Sequence, residues 1–372
     1  MTESLFFLFK FLLTNIIFAL LLCSSLMRLN KGQGHPTTEL FLVSLGLAPA
    51  LVTLLLYYTY LILPPLSNLF NFLIVTAAYA ALLWLGRAEL RSIFIEFIDS
   101  FRGGWKKIFG NLSSSPGSHP LAFFFKKIEV LLYISLLLVM MIYFILSFIH
   151  ILQLPVDGND VLQYAAQGKA LFKTKHIEFR GLLLDPETGF YKPSFHAPGF
   201  SLFLTWERIL NSLFSIESDL LFRSFAFYFG LLILAGQYYY LRSKGKWLAL
   251  LGTLGLLSSV SFFNAFIHIH IDTYRIFFLL ASWIYLARAI EKRDRLSFFL
   301  LGSSSGFAAF AHTLGALLAA ITLLIFFVFL KGSLLYKVRI ASLVSLLALA
   351  TGGIHYVLDI FWGNGWIFNI HL

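Results

Sequence analysis

The sequence has few charged residues. Aspartate, glutamate, lysine and arginine make up 12% of its 372 residues, about half the share found in a soluble domain. This deficit excludes an ordinary soluble enzyme, a disordered chain and a nucleic-acid-binding module. A single cysteine, Cys23, leaves no partner for an intramolecular disulfide. Acidic residues are outnumbered by basic ones, 18 against 28, a surplus typical of the cytoplasmic loops of a membrane protein.

Long apolar runs fill the rest of the chain, and hydrophobic residues make up 59% of it. About 20 such residues cross the hydrocarbon as a helix, so the predicted fold class is all-α, a polytopic transmembrane bundle. The first run contains Lys10 and is followed by no convincing cleavage site, which favours a retained helix over a signal peptide. Ten spans are expected, near 5–27, 38–62, 66–86, 127–153, 219–241, 247–263, 272–290, 296–312, 314–330 and 338–357.

Basic residues orient these spans. They form five groups, which lie at Arg28 and Lys31, between Arg87 and Lys127, at 242–246, at 292–295 and at 331–339. All five fall on one side only if 154–218 contains no complete crossing, and that side is expected to be cytoplasmic. The apolar stretch 199–214 is then a juxtamembrane or re-entrant helix within a long outer loop.

Three parts are expected along the chain. Residues 1–86 form an N-terminal three-helix transmembrane part, 87–126 a cytoplasmic amphipathic helix and linker, and 127–372 a transmembrane core with the outer loop 154–218. Between 88 and 110, apolar residues recur at helical spacing opposite a charged face, which is typical of a helix lying in the membrane interface. That helix is either a docking surface or a membrane-lying linker.

The outer loop is rich in ionisable residues. Its cations, including Lys192 and His196, suit a phosphate headgroup at the membrane surface, while plain solvation of a long loop is the alternative. Two carboxylates, Asp157 and Asp160, follow the span that precedes the loop. Asp160 stands before a helical pattern, so it is either a helix N-cap or a general base that accepts a proton from an acceptor hydroxyl.

The run Asp160-Val-Leu-Gln-Tyr164 resembles the first outer loop of GT-C-fold glycosyltransferases. These multi-pass enzymes use polyprenyl-phosphate-linked sugars and include protein O-mannosyltransferases and aminoarabinose transferases. The resemblance covers about 127–372, whereas residues 1–126 have no counterpart and family members continue for several more spans beyond the last one here. A short member, a fragment or one half of a complex is therefore expected. Further similar segments are His196-Ala-Pro198-Gly199, Arg223 at the outer start of a span, Asp272 at a later one, and 355–365.

The resemblance implies a role for each matching residue. Asp160 would be the catalytic base, with Asp157 next in line. Arg223, Arg275, Lys192 and His196 would contact the donor phosphate, although snorkelling alone also explains an arginine at a helix end. Outer-cavity lining would come from Tyr164, His268, His270 and Asp272.

His268, His270 and Asp272 also invite a metal interpretation. Two histidines and one aspartate without a clear fourth ligand form a weak pattern, so no metal ligand is assigned. Some family members use a divalent cation, so the resemblance leaves a divalent cation as a candidate cofactor for this chain.

The function expected from the resemblance is transfer of a sugar from a polyprenyl-phosphate donor to an acceptor at the outer face of a bacterial inner membrane. The acceptor is an unidentified glycan, lipid or protein, and a membrane protein partner could dock through 1–126. A non-catalytic GT-C-like scaffold in a glycan-assembly complex is the alternative. A lipid or solute transporter is disfavoured, because transporters bury ionisable residues near the bilayer midplane and only Lys10 lies well inside a span.

Overall fold

A computed structural model describes residues 2–113, 120–153, 159–177, 197–267 and 271–362. Every element in these ranges is a helix. The helices are α1 Thr2–Phe11, α2 Phe18–Leu29, α3 Thr37–Ile62, α4 Asn68–Ser113, α5 Pro120–Gln153, α6 Asn159–Thr174, α7 Gly199–Phe214, α8 Leu220–Arg223, α9 Phe225–Arg242, α10 Lys246–Leu257, α11 Val260–Ile267, α12 Asp272–Lys292, α13 Arg295–Ala311, α14 Thr313–Phe329, α15 Leu334–Ala348 and α16 Ile354–Trp362. Short π-helical turns, Leu12–Ile17 and Leu349–Gly353, join α1 to α2 and α15 to α16.

The chain is a helical, multi-pass membrane protein. Seven of its described helical segments are long and apolar enough to cross a membrane, or eight if α10 and α11, which bend by 72° at their junction, form one span. All ten expected segments are helical, but α13 and α14 have 17 residues each. Such a helix rises about 26 Å, less than the hydrocarbon thickness of about 30 Å, which is why the count falls below ten.

α4 is the longest helix in the described part of the chain. It runs unbroken from Asn68 to Ser113, across residue 86, where the sequence analysis places the end of the N-terminal part. The stretch 88–110 therefore continues the helix of the preceding span and is not a separate helix. The charged residues there do not interrupt the helix, because arginine, glutamate and lysine all favour helical backbone. Gly103 and Gly104 also lie within it, although glycine is a poor helix former.

The N-terminal helices pack against the later ones. α3 contacts α7, α9 and α12, and α4 contacts α7. Tyr228 of α9 donates a 2.7 Å hydrogen bond to the Leu45 carbonyl, and Asn68 donates one of 2.8 Å to Ser212. Residues 1–86 therefore share a core with the helices that follow them.

The two ends of the bundle differ in charge. At one end Lys31 pairs with Glu89 at 2.8 Å, Lys246 pairs with Glu129 at 3.4 Å, and Lys292 donates to the Gly34 carbonyl. We call this the basic end. The opposite end, which carries α6 and α7, is called the loop end. Lys31, Lys246 and Lys292 belong to three of the five basic groups that are expected on one side of the membrane, and all three lie at this end.

α13 is the most buried helix, and small residues let its neighbours approach. Gly302 and Gly306 form a Gly-x-x-x-Gly pattern, which is common where membrane helices pack closely. A Cβ added to Gly302 would lie 2.8 Å from the Val344 carbonyl oxygen, and one on Gly306 would collide with Thr351 and the Ala348 carbonyl. These glycines set the close packing of α13 on α15 and the π turn after it.

Replacing Gly306 with leucine tests this packing. Gly306→Leu is expected to lower the unfolding free energy by at least about 1–3 kcal/mol, the usual effect of overpacking. Gly255→Leu is the matched control, since a Cβ there meets nothing within 4 Å. Thermal unfolding in detergent should fall for Gly306→Leu alone; equal shifts for both variants would contradict the close-packing account.

Candidate functional site

Two helices of the outer-loop segment, α6 and α7, pack side by side at the loop end. The ring of Tyr164 meets that of Phe200 at 5.5 Å, Ser201 donates to Gln167 at 2.6 Å, and the Thr205 hydroxyl donates to the Gly168 carbonyl at 3.1 Å. The contacts advance in the same direction along both helices, so α6 and α7 run parallel. Their N-terminal turns therefore lie at the same end of the pair.

α7 is buried within the protein. Phe200, Leu202, Trp206 and Ile209 are fully buried, and none of the candidate spans includes this 16-residue helix. Its N-terminus touches α13, where a Cβ on Gly199 would lie 2.6 Å from the Phe310 carbonyl oxygen. α7 is thus part of the bundle core.

A buried ion pair fixes α7 to the first helix. Lys10 Nζ lies 2.6 Å from Glu207 Oε1, and both side chains are 0% exposed. The same ammonium donates to Asn211 Oδ1 at 2.9 Å and to the Ser218 carbonyl at 3.2 Å. All three donor positions of the ammonium are thereby used, which is the condition for burying a charge.

Glu207 also organises the start of α8. Its two carboxylate oxygens accept the backbone N–H groups of Leu221 and Phe222, each at 2.9 Å. These N–H groups belong to the first turn of a helix, which has no acceptors of its own. Burial raises the pKa of Glu207, while Lys10 and the two N–H donors oppose that shift by favouring the carboxylate.

The π-helical turn after Lys10 contacts the same helix. Thr14 lies in that turn and accepts a 2.9 Å hydrogen bond from the indole N–H of Trp206, one residue before Glu207. π turns inside helices are frequent at functional sites. Here the turn gives α7 a second polar contact with the N-terminal helix.

A polar cavity of about 560 Å³ lies beside this ion pair. Its wall comes from the end of α6, the second half of α7 and the connection to α8. Asn211 belongs both to the wall and to the Lys10 contacts. The lining residues are Phe172, Leu204, Arg208, Asn211, Ser212, Ser215, Ile216, Glu217, Ser218 and Asp219.

Lys175 is a buried cation next to the cavity. It follows α6 with a left-handed backbone (φ 54°), and its ammonium lies 3.7 Å from the centre of the Phe172 ring. Within the described residues the ammonium has no hydrogen-bond partner. Burial lowers the pKa of Lys175 to about 8, because removing a charged amine from water disfavours its protonated form.

The two arginines expected to contact a donor phosphate are each paired with a carboxylate. Arg223 lies 3.7 Å from Asp219, one helical turn earlier, and Arg275 donates to Asp272, three residues earlier. Asp219 lines the cavity, so Arg223 reaches its edge through this pair. Arg275 and Asp272 form the first turn of α12.

The other expected site residues divide into two sets. Tyr164 is buried at 5% exposure and packs on Phe200, as a core residue does. Asp160 lies in the first turn of α6, as the helical pattern predicts, and its side chain is not described. The remaining five lie outside the described residues: Asp157, Lys192, His196, His268 and His270.

Among the described residues, no group of three or more His, Cys, Asp or Glu side chains could hold a metal ion. Of the expected histidine and aspartate set, only Asp272 falls in that part of the chain, and it pairs with Arg275.

The sequence analysis assigns no role to Glu207 or Arg208, and it does not predict that Lys175 is buried. A signal for the ion pair exists, since Glu207 interrupts an apolar helix and Lys10 interrupts an apolar span. Two opposite charges in apolar surroundings are stable only when they meet. Nothing in the sequence marks Lys175 among the loop's other lysines, because its burial depends on tertiary packing.

Removing one partner of the Lys10–Glu207 pair should destabilise the protein. Lys10→Met is expected to cost about 3–5 kcal/mol, because it leaves a buried carboxylate without its counter-charge. The double variant Lys10→Met/Glu207→Gln should recover much of that loss, since glutamine keeps an acceptor for the N–H groups of α8. Thermal unfolding of the single and double variants measures this; additive losses would contradict a coupled pair.

The ammonium of Lys175 should titrate near pH 8. The unfolded chain holds this proton to a higher pH, so the folded state should gain stability as the pH rises from about 8 towards 10.5. Reductive ¹³C-methylation of lysines followed by NMR titration measures the midpoint, with Lys175→Arg to assign the signal. A midpoint above pH 10 would refute the buried, uncompensated state of this amine.

Comparison with protein-family models, with curated proteins and with solved structures finds no match to this chain. The function of the chain therefore has to be inferred from the chemistry of its own residues.

Proposed function

We propose that the chain is an integral-membrane glycosyltransferase of GT-C type. It would move a sugar from a polyprenyl-phosphate-linked donor to an acceptor hydroxyl at the outer face of the membrane. The observation that carries the proposal is the pairing of α6 with α7 at the loop end. Asp160 lies in the first turn of α6, and about 18 Å further along the same helix the pair borders a polar cavity that contains Arg208 and adjoins Lys175.

The charge difference between the two ends supports the orientation. Cytoplasmic loops carry the excess of lysine and arginine in multi-pass proteins, so the basic end faces the cytoplasm in this proposal. The cavity at the opposite end then opens towards the outer face. In bacteria this would be the outer face of the inner membrane, where a polyprenyl carrier would hold its sugar at the surface.

The donor's phosphate requires positive charge in a partly dry site. Arg208 lines the cavity and Lys175 lies against the cavity residue Phe172. Cationic donors stabilise a leaving phosphate most strongly where water is largely absent. Arg223 would assist only after exchanging its pairing with Asp219, whose carboxylate also faces the cavity. Arg275 is tied to Asp272 and would hold the first turn of α12.

The proposed transfer is one displacement. The acceptor oxygen forms a bond to the anomeric carbon, and the bond from that carbon to the phosphate oxygen breaks with its electron pair remaining on the phosphate. The hydroxyl proton passes to a carboxylate base, and the base that the GT-C resemblance implies is Asp160, with Asp157 as the second candidate. A single displacement inverts the anomeric configuration, as the resemblance to the GT-C family implies.

Substitution of Asp160 tests this proposal. In a strain that lacks the gene, wild-type chain should restore a surface sugar, whereas Asp160→Asn should restore none and the donor lipid should accumulate. Mass spectrometry of surface glycans and of polyprenyl-linked sugars measures both. Asp99→Asn is the matched control, because Asp99 is an exposed carboxylate on α4 well outside the loop-end site.

Two outcomes would overturn the assignment. If Asp160→Asn and Asp157→Asn both behave as wild type while the deletion loses the sugar, the chain is a scaffold subunit and another protein carries out the transfer. If the deletion changes no glycan and no lipid-linked sugar, the glycosyltransferase proposal is wrong.

A further inference from the structure

A second cavity lies far from the proposed site, towards the basic end. It is a small apolar groove of about 50 Å³ between α3, α9 and α12. Val43, Leu232, Phe277 and Leu280 form its apolar wall. All three helices belong to candidate spans, so the groove lies within the membrane.

A glycine opens this groove. Gly236 lines it, and a Cβ added there would meet only Leu280 Cδ2, at 3.8 Å. Glycine is a poor helix former, and here no neighbouring backbone comes close enough to require it. Its effect is to leave space between α9 and α12 that a larger side chain would fill.

The groove ends in polar and ionised side chains, among them one carboxylate and one guanidinium that pair with each other. Glu39, Tyr239 and Arg288 line it at the basic end. Arg288 uses Nη1 for its contacts with Glu39 Oε1 and with His35 Nδ1. Within the described residues no contact engages its Nε or Nη2 atoms, so these N–H groups can bind an additional acceptor. Lys292 follows one turn later on α12 and is exposed.

We propose that this groove binds an anionic glycerophospholipid from the leaflet at the basic end. Part of one acyl chain would lie along the apolar wall, and the phosphate would accept hydrogen bonds from Arg288 and Lys292. Basic pockets between membrane helices bind anionic headgroups. Since acyl chains outside the groove are as apolar as its wall, the headgroup charge should decide which lipid is retained.

The proposal is independent of the glycosyltransferase assignment. It concerns other residues, the opposite end of the bundle and a different lipid. Failure of the lipid-binding test leaves the result with Asp160→Asn unchanged, and the reverse also holds.

Native mass spectrometry of the full-length protein in neutral detergent tests the groove. The probes are phosphatidylglycerol and phosphatidylcholine with identical acyl chains. Wild type should retain phosphatidylglycerol preferentially. Gly236→Leu fills the groove and should weaken that binding by about tenfold, the change that 1.4 kcal/mol produces. Gly255→Leu adds the same side chain where nothing lies within 4 Å and should bind as wild type.

The headgroup contact has its own variant. Lys292→Gln should reduce the preference for phosphatidylglycerol over phosphatidylcholine by about fivefold, the effect of one cation near a lipid surface. Lys292 is exposed, so this variant should fold even if Gly236→Leu does not. Equal binding of both lipids by wild type, or equal binding by the two leucine variants, would overturn the proposal. Retention of a polyprenyl phosphate in place of phosphatidylglycerol would also overturn it and would identify a carrier-lipid site.

Discussion

The Lys10–Glu207 ion pair connects most of the features at the loop end. One ammonium joins the first helix to α7 and to the connection before α8, and one carboxylate satisfies the first N–H groups of α8. Each partner is costly to bury without the other, so α1, α7 and α8 have to assemble together. The cavity forms beside this assembly because Asn211, held by Lys10, is part of its wall.

The molecule has two separate polar regions, one at the loop end and one at the basic end. At the loop end, the ammonium of Lys175 has no hydrogen-bond partner among the described residues and lies on an aromatic ring in place of a carboxylate. At the basic end, His35 lies between Glu39 and Asp294, and Arg288 completes a compact network that joins α3 to the turn before α13. The first arrangement leaves positive charge available to an anionic ligand, whereas most of the second stabilises the packing of helices.

The sequence predicted the helical segments, because apolar runs of bilayer length leave few alternatives to a helix. It also predicted that Asp160 lies at the N-cap or in the first turn of a helix and that 199–214 differs from the spans. Other features depend on contacts between distant residues. The continuity of α4 past residue 86 overrides a change in polarity, the pair Lys10–Glu207 joins positions far apart in the chain, and the burial of Lys175 follows from its place against Phe172. No local pattern carries that information.

The most direct test of the account is the side of the membrane on which each end lies. The only cysteine, Cys23, is buried, so single cysteines introduced at the exposed positions Glu217 and Lys244 can be labelled with little background. In intact cells, a membrane-impermeant maleimide should modify Glu217→Cys, whereas Lys244→Cys should react only after permeabilisation. Labelling of Lys244→Cys from outside, with Glu217→Cys protected, would place the cavity in the cytoplasm and contradict the proposed outer-face reaction.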